Sequence, residues 1–501
     1  MNKERRNGAF LAYLNIILKN LVILVYTPFL LKYLGQAEYG LYQMANSVIM
    51  SLGLLSMGFS SAYVRFYIRY KTAEDEKGIK SLNGMYLLLF IFIGIVALLI
   101  GTILVVNIES IFKKTFTSEQ LETTKILMGI MVLNIALTFP SSVFDSNIMV
   151  HERFLFQQSR QIIQTMLLPI LTIPLIIIGY KSIVLVVVQT FITLIFLLLN
   201  MRFAIRKLNM QFNFRNLPLY VLTEIAVFSF FIFLNQVIDL INNNVPSFIV
   251  GIYSGPEDVA TYSVAMQLKA LFFMLSVSLS NIFIPYVNKL VSEGASAETL
   301  TKLMIKVGRI QLIVLTFILG GFITVGKYFI NIWAGGENVT AYYLVILMIL
   351  PVLVPLSQNV GIEIQRAMNK HYFRSLFYLI FAVVNIIVTV IGVKSFGLVG
   401  SIIGYVISIV FANGIAMNWY YYKKMSLNIK LFWMKMTKII LVFFVSVILL
   451  QVLQMYIPIN NLLSFVLYGI LYIFIYVLCY VFWIVEPDEL QKIKKIIKKQ
   501  R

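Results

Sequence analysis

The chain predicts an all-α integral membrane fold of about fourteen transmembrane helices, two six-helix lobes around a central cavity plus two C-terminal helices. Three observations carry that expectation. Hydrophobic residues make up 60% of the 501 and charged residues only 12%, with a mean hydropathy of +0.88, outside the range of soluble domains. Apolar runs of roughly 17–25 residues, the length that spans ~30 Å of hydrocarbon, recur along the whole chain. An internal repeat divides those runs into two sets.

The runs start near residues 10, 41, 83, 123, 163, 183, 221, 261, 310, 340, 375, 397, 437 and 461. The first follows a basic "MNKERRNG" and is too long for a signal peptide, so it reads as a retained helix. Connections between runs are short. The longest, around "NKLVSEGASAETLTKLMIKVGR", has a helical pattern of its own. No soluble domain is expected on either side. The single cysteine, Cys479, excludes an internal disulfide, and two histidines make a histidine-based metal site improbable.

Net charge is +20, with a pI near 9.7. Alternating the runs across a bilayer puts roughly 32 Lys and Arg on one side, about 7 on the other and about two within spans. The rich side holds "KERR", "RFYIRYKTAEDEKGIK", "HERFLFQQSR", "RKLNMQFNFR", "RAMNKHYFR" and the tail "KIKKIIKKQR". Basic loops face the cytoplasm, so both termini are expected there. Topology and contact with anionic membrane lipids account for the charge, and no nucleic acid is implied. The tail reads as an amphipathic surface helix.

The repeat is seen by setting "YLGQAEYGLYQMA" (Tyr33 to Ala45) over "YSGPEDVATYSVA" (Tyr253 to Ala265). Gly35 falls on Gly255, Glu38 on Asp258, Tyr42 on Tyr262 and Ala45 on Ala265, without a gap. Further on, "IGYKSI" (Ile178 to Ile183) matches "IGVKSF" (Ile391 to Phe396), each at the outer turn between the fifth and sixth spans of its half. Pro140 and Pro355 also fall in corresponding spans. The expected divisions are an N-terminal six-helix lobe (1–209), a C-terminal six-helix lobe (210–424), two extra spans (425–485) and a basic cytoplasmic tail (486–501). An even number of spans per half makes the repeats parallel, and two such lobes enclosing a cavity is a transporter layout. Pro28, Pro169, Pro174, Pro246, Pro285 and Pro351 also lie in or beside spans, where a kink can be accommodated.

The "LGQAEYGLYQMA" segment, the doubled six-span plan and the two extra C-terminal spans resemble the polysaccharide transport family. That family lies within the multidrug/oligosaccharidyl-lipid/polysaccharide (MOP) exporter superfamily and includes the Wzx-type O-antigen flippases. The likeness covers nearly the whole chain, through a Gly-x-x-Glu-Tyr-Gly pattern rather than a catalytic signature. It implies translocation of an undecaprenyl-diphosphate-linked oligosaccharide, a repeat unit of O-antigen, capsule or exopolysaccharide, across the bacterial cytoplasmic (inner) membrane. It also implies polysaccharide polymerase or assembly proteins as partners.

Charges within spans cost several kcal/mol, so each is a functional candidate. Lys19, Asp239 and Lys269 are the deep ones. In the register that aligns Gly35 with Gly255, Lys19 corresponds to Asp239 and Asn15 to Asn235, each pair spaced i, i+4 on one helical face. Asn242 and Asn243 extend that polar face. Three readings stay open: a gating Lys19–Asp239 ion pair; Lys19 and Lys269 attracting a diphosphate while Asp239 couples an ion; or a static pair that fixes packing. Lysine is a compact charge suited to phosphate, and carboxamides suit sugar hydroxyls. Arg65, Asp145, Arg153, Glu363 and Arg366 lie near the basic ends of spans, as candidates for a cytoplasmic vestibule. No cofactor is implied, and a coupling ion, H+ or Na+, is left open.

Other motifs fail. "GFITVGKY" (Gly321 to Tyr328) has Tyr328 where a P-loop needs Ser or Thr, and it lies within a span. "GLVGSIIG" (Gly397 to Gly404) reads as close helix packing. No catalytic triad, carboxylate pair or Cys/His cluster is present. The leading expectation is a flippase rather than an enzyme. The alternatives are a cation-coupled multidrug exporter of the same superfamily, a cell-wall lipid-precursor flippase and, from another class, an integral-membrane glycosyltransferase (polymerase or ligase). The short outer loops weigh against the last.

Overall fold

The computed structural model describes residues 3–56, 58–215, 217–370 and 372–485, and among them the chain is helical, with no β-strand. The basic tail predicted as a surface helix lies outside the described residues. Among the described residues thirteen helices are long and apolar enough to cross a membrane. They occupy the predicted spans in order. The predicted seventh span is the helix Leu219–Asn243, whose 25 residues extend about 37 Å at 1.5 Å per residue.

The chain forms two compact units, Met1–Ser263 with Ile386–Ser401, and Val264–Asn385 with Ile402 onward. The first unit begins with α1 (Lys3–Leu34), α2 (Gln36–Leu52), α3 (Phe59–Thr72) and α4 (Glu76–Val106). It continues through the short α5 (Ile108–Phe112), α6 (Ser118–Val150), α7 (Phe154–Ile177), α8 (Ile183–Lys207), α9 (Leu219–Asn243) and α10 (Val245–Ser254). Helix α11 (Pro256–Asn281) passes from the first unit to the second.

Local sequence sets these boundaries. Asp75 caps α4 by accepting from the Gly78 N–H at 2.8 Å. Thr117 and Gln120 form a capping box at the start of α6. Gly35 and Gly255 close α1 and α10 with φ of 83° and 100°, a conformation that costs a β-carbon strain, and the next helix starts one residue later in both copies. The repeat therefore has a backbone counterpart: the matched glycines are the matched corners. Around the first corner Gly40 has no room for a side chain, since a Cβ there would stand 1.8 Å from the Pro256 carbonyl oxygen. The core of the unit is Tyr63, Leu82, Tyr86, Phe90 and Val143, each fully buried, where α3 and α4 meet α6.

The second unit holds α12 (Ile284–Ser292), α13 (Ala297–Ala334), α14 (Thr340–Ser357) and α15 (Asn359–Ala367). The predicted helical connection is thus α12 and the start of α13, with "GFITVGKY" inside the latter. Helix α16 (Tyr372–Gly400) breaks at Gly397, where φ is 59°. The outer turn of the second half therefore falls just after "IGVKSF" rather than within it, because Gly179 takes the positive φ (109°) in the first copy and Gly397 in the second. Gly392 and Gly400 instead let the two arms of that turn touch: a Cβ on Gly400 would be 1.9 Å from the Gly392 oxygen. Helices α17 (Ile403–Ser408) and α18 (Asn418–Met425) flank a π-helical stretch, Ile409–Met417. Helices α19 (Ile429–Tyr456) and α20 (Leu462–Cys479), the two extra spans, pack on α13. Their tyrosines do more than fill space. Tyr472 donates to the Phe317 carbonyl at 2.8 Å, over Gly320, and the Tyr476 hydroxyl lies 2.8 Å from Thr316 Oγ1.

Candidate functional site

One line of polar groups in the first unit lies where α1 packs on α7. Asn15 donates from Nδ2 to Gln161 Oε1 at 2.7 Å and to Gln158 Oε1 at 3.3 Å, while its own Oδ1 is buried without a partner. One turn further Lys19 is exposed, and among the described residues it makes no ion pair. Two turns beyond that, the Tyr26 hydroxyl meets Thr172 Oγ1 at 2.5 Å. The result is a strip of carboxamides, hydroxyls and one cation along a membrane-length helix, able to donate and accept toward a hydroxylated ligand.

Asn235 and Asp239 are exposed on α9, Asn242 is half-buried, and Asn243 donates to the Asp239 carbonyl at 2.8 Å. The helix ends there. Asn244 leaves the helix with φ −110°, and Pro246 sits in the first turn of α10, where its missing N–H leaves no helical bond unmade. Pro246, expected to lie in or beside a span where a kink is accommodated, sits just after this break.

In the second unit Lys269 is 4% exposed in α11. Its Nζ lies 4.0 Å from the centre of the Tyr405 ring, 5.8 Å from that of Phe273 and 3.8 Å from Met266 Sδ. A desolvated ammonium over an aromatic face is held by the ring quadrupole, worth about 2 kcal/mol. Along the same face of α11, Ser276 and Ser280 accept from Asn359 Nδ2 at 3.1 and 2.9 Å, and Ser280 also accepts from Gln311 Nε2 at 2.5 Å. The Gln311 Oε1 atom is buried without a partner. Sequence reasoning did not single out this hydroxyl and amide cluster, whose members are spread from 276 to 359.

The candidates near the basic ends are mostly paired. Asp145 accepts from Arg160 at 2.7 Å and from Asn200 Nδ2 at 2.8 Å, tying α6, α7 and α8 together. Arg160, counted with the basic loop in the sequence reading, is inside α7, with its side chain only 13% exposed. Arg153 reaches Glu4 at 3.2 Å, and Arg366 pairs with Glu363 at 2.7 Å within α15. Arg65 is exposed on α3.

The turns after the fifth span of each half carry matched lysines. Glu38 accepts from the Ser182 N–H at 3.3 Å and, by a shorter bond, from its hydroxyl, while Lys181 lies 2.9 Å from Glu119. Those carboxylates hold the Lys181 ammonium above its ordinary pKa. In the second copy Lys394 stands 5.0 Å from the centre of the Tyr253 ring. The Glu of the Gly-x-x-Glu-Tyr-Gly segment is therefore a bracket for the α7–α8 turn, and the second Gly is the close approach to Pro256. Among the described residues no cluster of His, Cys, Asp and Glu could hold a metal ion.

A family model described as "Polysaccharide biosynthesis protein" matches residues 5–291. The chain belongs to that family. Among solved structures the fold is similar to that of a lipid II flippase MurJ in an inward closed conformation, with 17% identity and a TM-score of 0.72. That match covers 95% of this chain and 98% of the other. It is also similar to an inward-facing MATE-family multidrug transporter of the MOP superfamily (16% identity, TM-score 0.59, 81% and 93% covered). A third likeness is to the MATE multidrug transporter DinF-BH in complex with R6G (12% identity, TM-score 0.58, 85% and 96% covered). No curated protein matches the sequence. The protein is accordingly a multi-pass membrane protein with a MOP-type transporter fold.

Proposed function

We propose that this protein is a flippase that moves a polyprenyl-diphosphate-linked oligosaccharide, such as a repeat unit of O-antigen, capsule or exopolysaccharide on undecaprenyl diphosphate, across the bacterial cytoplasmic membrane by alternating access. It catalyses no covalent step in this reading. Both termini are cytoplasmic, and a polymerase receives the product on the far side. The observation that supports it most is Lys269, a cation buried in a membrane-length helix and held by aromatic faces, in a chain of the polysaccharide biosynthesis family. An ammonium held by a ring can be passed to a diphosphate, which offers it charge-assisted bonds that the ring does not. Within the first unit, taken by itself, the carboxamides of Asn15, Gln158 and Gln161 suit sugar hydroxyls, with the Lys19 cation one turn from Asn15. The six-plus-six lobes with two extra spans are the proposed moving parts.

Asp239 supports a second reading within the same fold, a cation-coupled exporter of organic cations, since a membrane carboxylate suits a proton, Na+ or a cationic drug. Purified protein in liposomes separates the two. Movement of lipid-diphosphate oligosaccharide without export of cationic dyes supports the flippase. Dye export with no movement of several glycans overturns it. Lys19→Ala and Asp239→Ala are each expected to abolish transport while preserving expression, and normal activity in either makes that charge a packing feature.

A further inference from the structure

The segment that joins the two predicted halves is strapped onto the first unit. Residues 208–215 follow α8 without regular structure, with Asn209 at φ 50°. The Asn213 N–H donates to the Lys80 carbonyl at 2.9 Å, and its Nδ2 to Ser81 Oγ at 3.2 Å. Asn83 donates to the Gln211 carbonyl at 2.8 Å. Gly84 permits this closeness, since a Cβ there would stand 2.3 Å from the Asn213 oxygen.

Beneath the strap, at the end of the unit that carries His151, lies a cavity of about 280 Å³. Its lining includes Tyr67, Glu76, Lys80, Asn83, Asn147 and Gln211. Asn83 and Asn147 are each 1% exposed. The Tyr63 hydroxyl donates to Asn83 Oδ1 at 2.7 Å and accepts from Asn147 Nδ2 at 2.9 Å. Asn147 Oδ1 is left buried with no hydrogen-bond partner. A buried carbonyl oxygen is rarely left so in a folded protein, and one in the wall of a polar cavity marks a place for a donor. The Asn147 amide has a second hydrogen to give besides the one donated to Tyr63, so a group that both donates and accepts, as a hydroxyl does, matches it. Lys80, half-buried, and Glu76, exposed, add charged partners at the edge. The volume falls just below the range of drug-sized ligand pockets, about 300 to 1,000 Å³, and so suits a single small ring.

We infer that the space under the linker binds a pyranose-sized, polyhydroxylated ligand, its hydroxyls read by Asn147 and Asn83 with Lys80 and Glu76 at the edge. Two sources share this chemistry, a free glycoside and the terminal sugar of a lipid-linked glycan. The inference stands apart from the transport reading, because binding of a free glycoside requires no translocation.

The test is hydrogen–deuterium exchange of the full chain in lipid nanodiscs, with millimolar methyl glucoside, methyl galactoside or N-acetylglucosamine. The expected result is saturable slowing of amide exchange in residues 76–84 and 208–215 with at least one of them. Asn147→Ala weakens that protection tenfold or more, and Lys80→Gln, a change to a half-exposed side chain, weakens it severalfold should the first variant not fold. A polyprenyl-diphosphate monosaccharide in the same nanodiscs is the second arm. Protection that free glycoside competes away assigns the site to both sources, and protection by the lipid-linked form alone assigns it to the membrane-borne sugar. No slowing with any free or lipid-linked sugar, or equal slowing in the wild type and both variants, overturns the inference. Transport measured on the same preparation tells the two accounts apart, since either result can fail without the other.

Discussion

Residues 15–45 and 235–265 are two copies of one design, related by a constant offset, and they differ in the charge carried by their polar faces. Both turn a corner on a glycine of positive φ, Gly35 and Gly255. Both place an Asn and a charge one turn apart on the preceding helix. The charge is Lys19 in one copy and Asp239 in the other, and the second copy breaks its helix at Asn244 where the first runs unbroken through α1. The shared corners follow from packing, and the opposite charges on the preceding helices are the difference that the proposed transport of an asymmetric cargo would use.

The largest effect expected of breaking this comparison is at Gly40. Its counterpart by offset is Ala260, which is fully buried, so the second copy accepts the methyl group that the first cannot. Gly40→Ala drives a Cβ toward the Pro256 carbonyl, and such overpacking costs about 1–3 kcal/mol or more. It should lower folded yield and melting temperature sharply, whereas Ala260→Gly should cost only about 1 kcal/mol. Equal effects in a thermal melt of the two purified variants would mean the corners are not packed as described.

Next in size is Lys269→Ala, which removes a charge-assisted contact worth about 1.5–3 kcal/mol and should slow transport of a diphosphate-linked substrate roughly 10- to 100-fold. Tyr405→Phe keeps the ring under the ammonium and should leave transport near wild type. A Lys269→Ala protein as fast as wild type would make the buried lysine a packing element.

The matched lysines give a smaller effect. Lys181 is exposed among carboxylates, and exposed pairs contribute little and are screened by salt. Lys394 sits on a ring. The stability lost in Lys181→Ala should therefore vanish in high salt while that in Lys394→Ala persists, as read by melts at two ionic strengths.

Smallest is a pH effect at the loop between α6 and α7. His151 Nδ1 donates to the Asn147 carbonyl at 2.8 Å, so Nε2 accepts from the Tyr67 hydroxyl at 3.2 Å. Burial first, and then Lys71 and Arg153, hold its pKa below the ordinary value. The unfolded chain therefore takes up the proton before the folded one does, and stability falls as pH drops through the ordinary histidine value of about 6.5. His151→Gln should flatten that part of the pH–stability curve, and an unchanged curve would show the imidazole is not coupled to folding.

The spans, the corners and the break at Pro246 were legible because each rests on local pattern: run length, a glycine, a proline. Lys269 was legible as a charge in an apolar run, but its Tyr405 partner lies 136 positions away and only packing brings the two together. Asp145 and Arg160 mark the middle ground. They lie at nearly equal distances either side of the turn at 151–153, so the mirror spacing of an α-hairpin could have paired them. Arg160 read as a loop charge because the start of α7 is polar. The partners of Asn15 on α7 and the cavity under the linker had no such local signature, since they depend on which helix lies beside which.

Transport by way of Lys269 is decided by following a polyprenyl-diphosphate oligosaccharide in liposomes that carry the wild-type protein or the Lys269→Ala variant. The glycan is expected to reach the far leaflet with wild type and to do so roughly 10- to 100-fold more slowly with the variant. Export of cationic dyes by the wild type, with the glycan staying where it was placed, would contradict it.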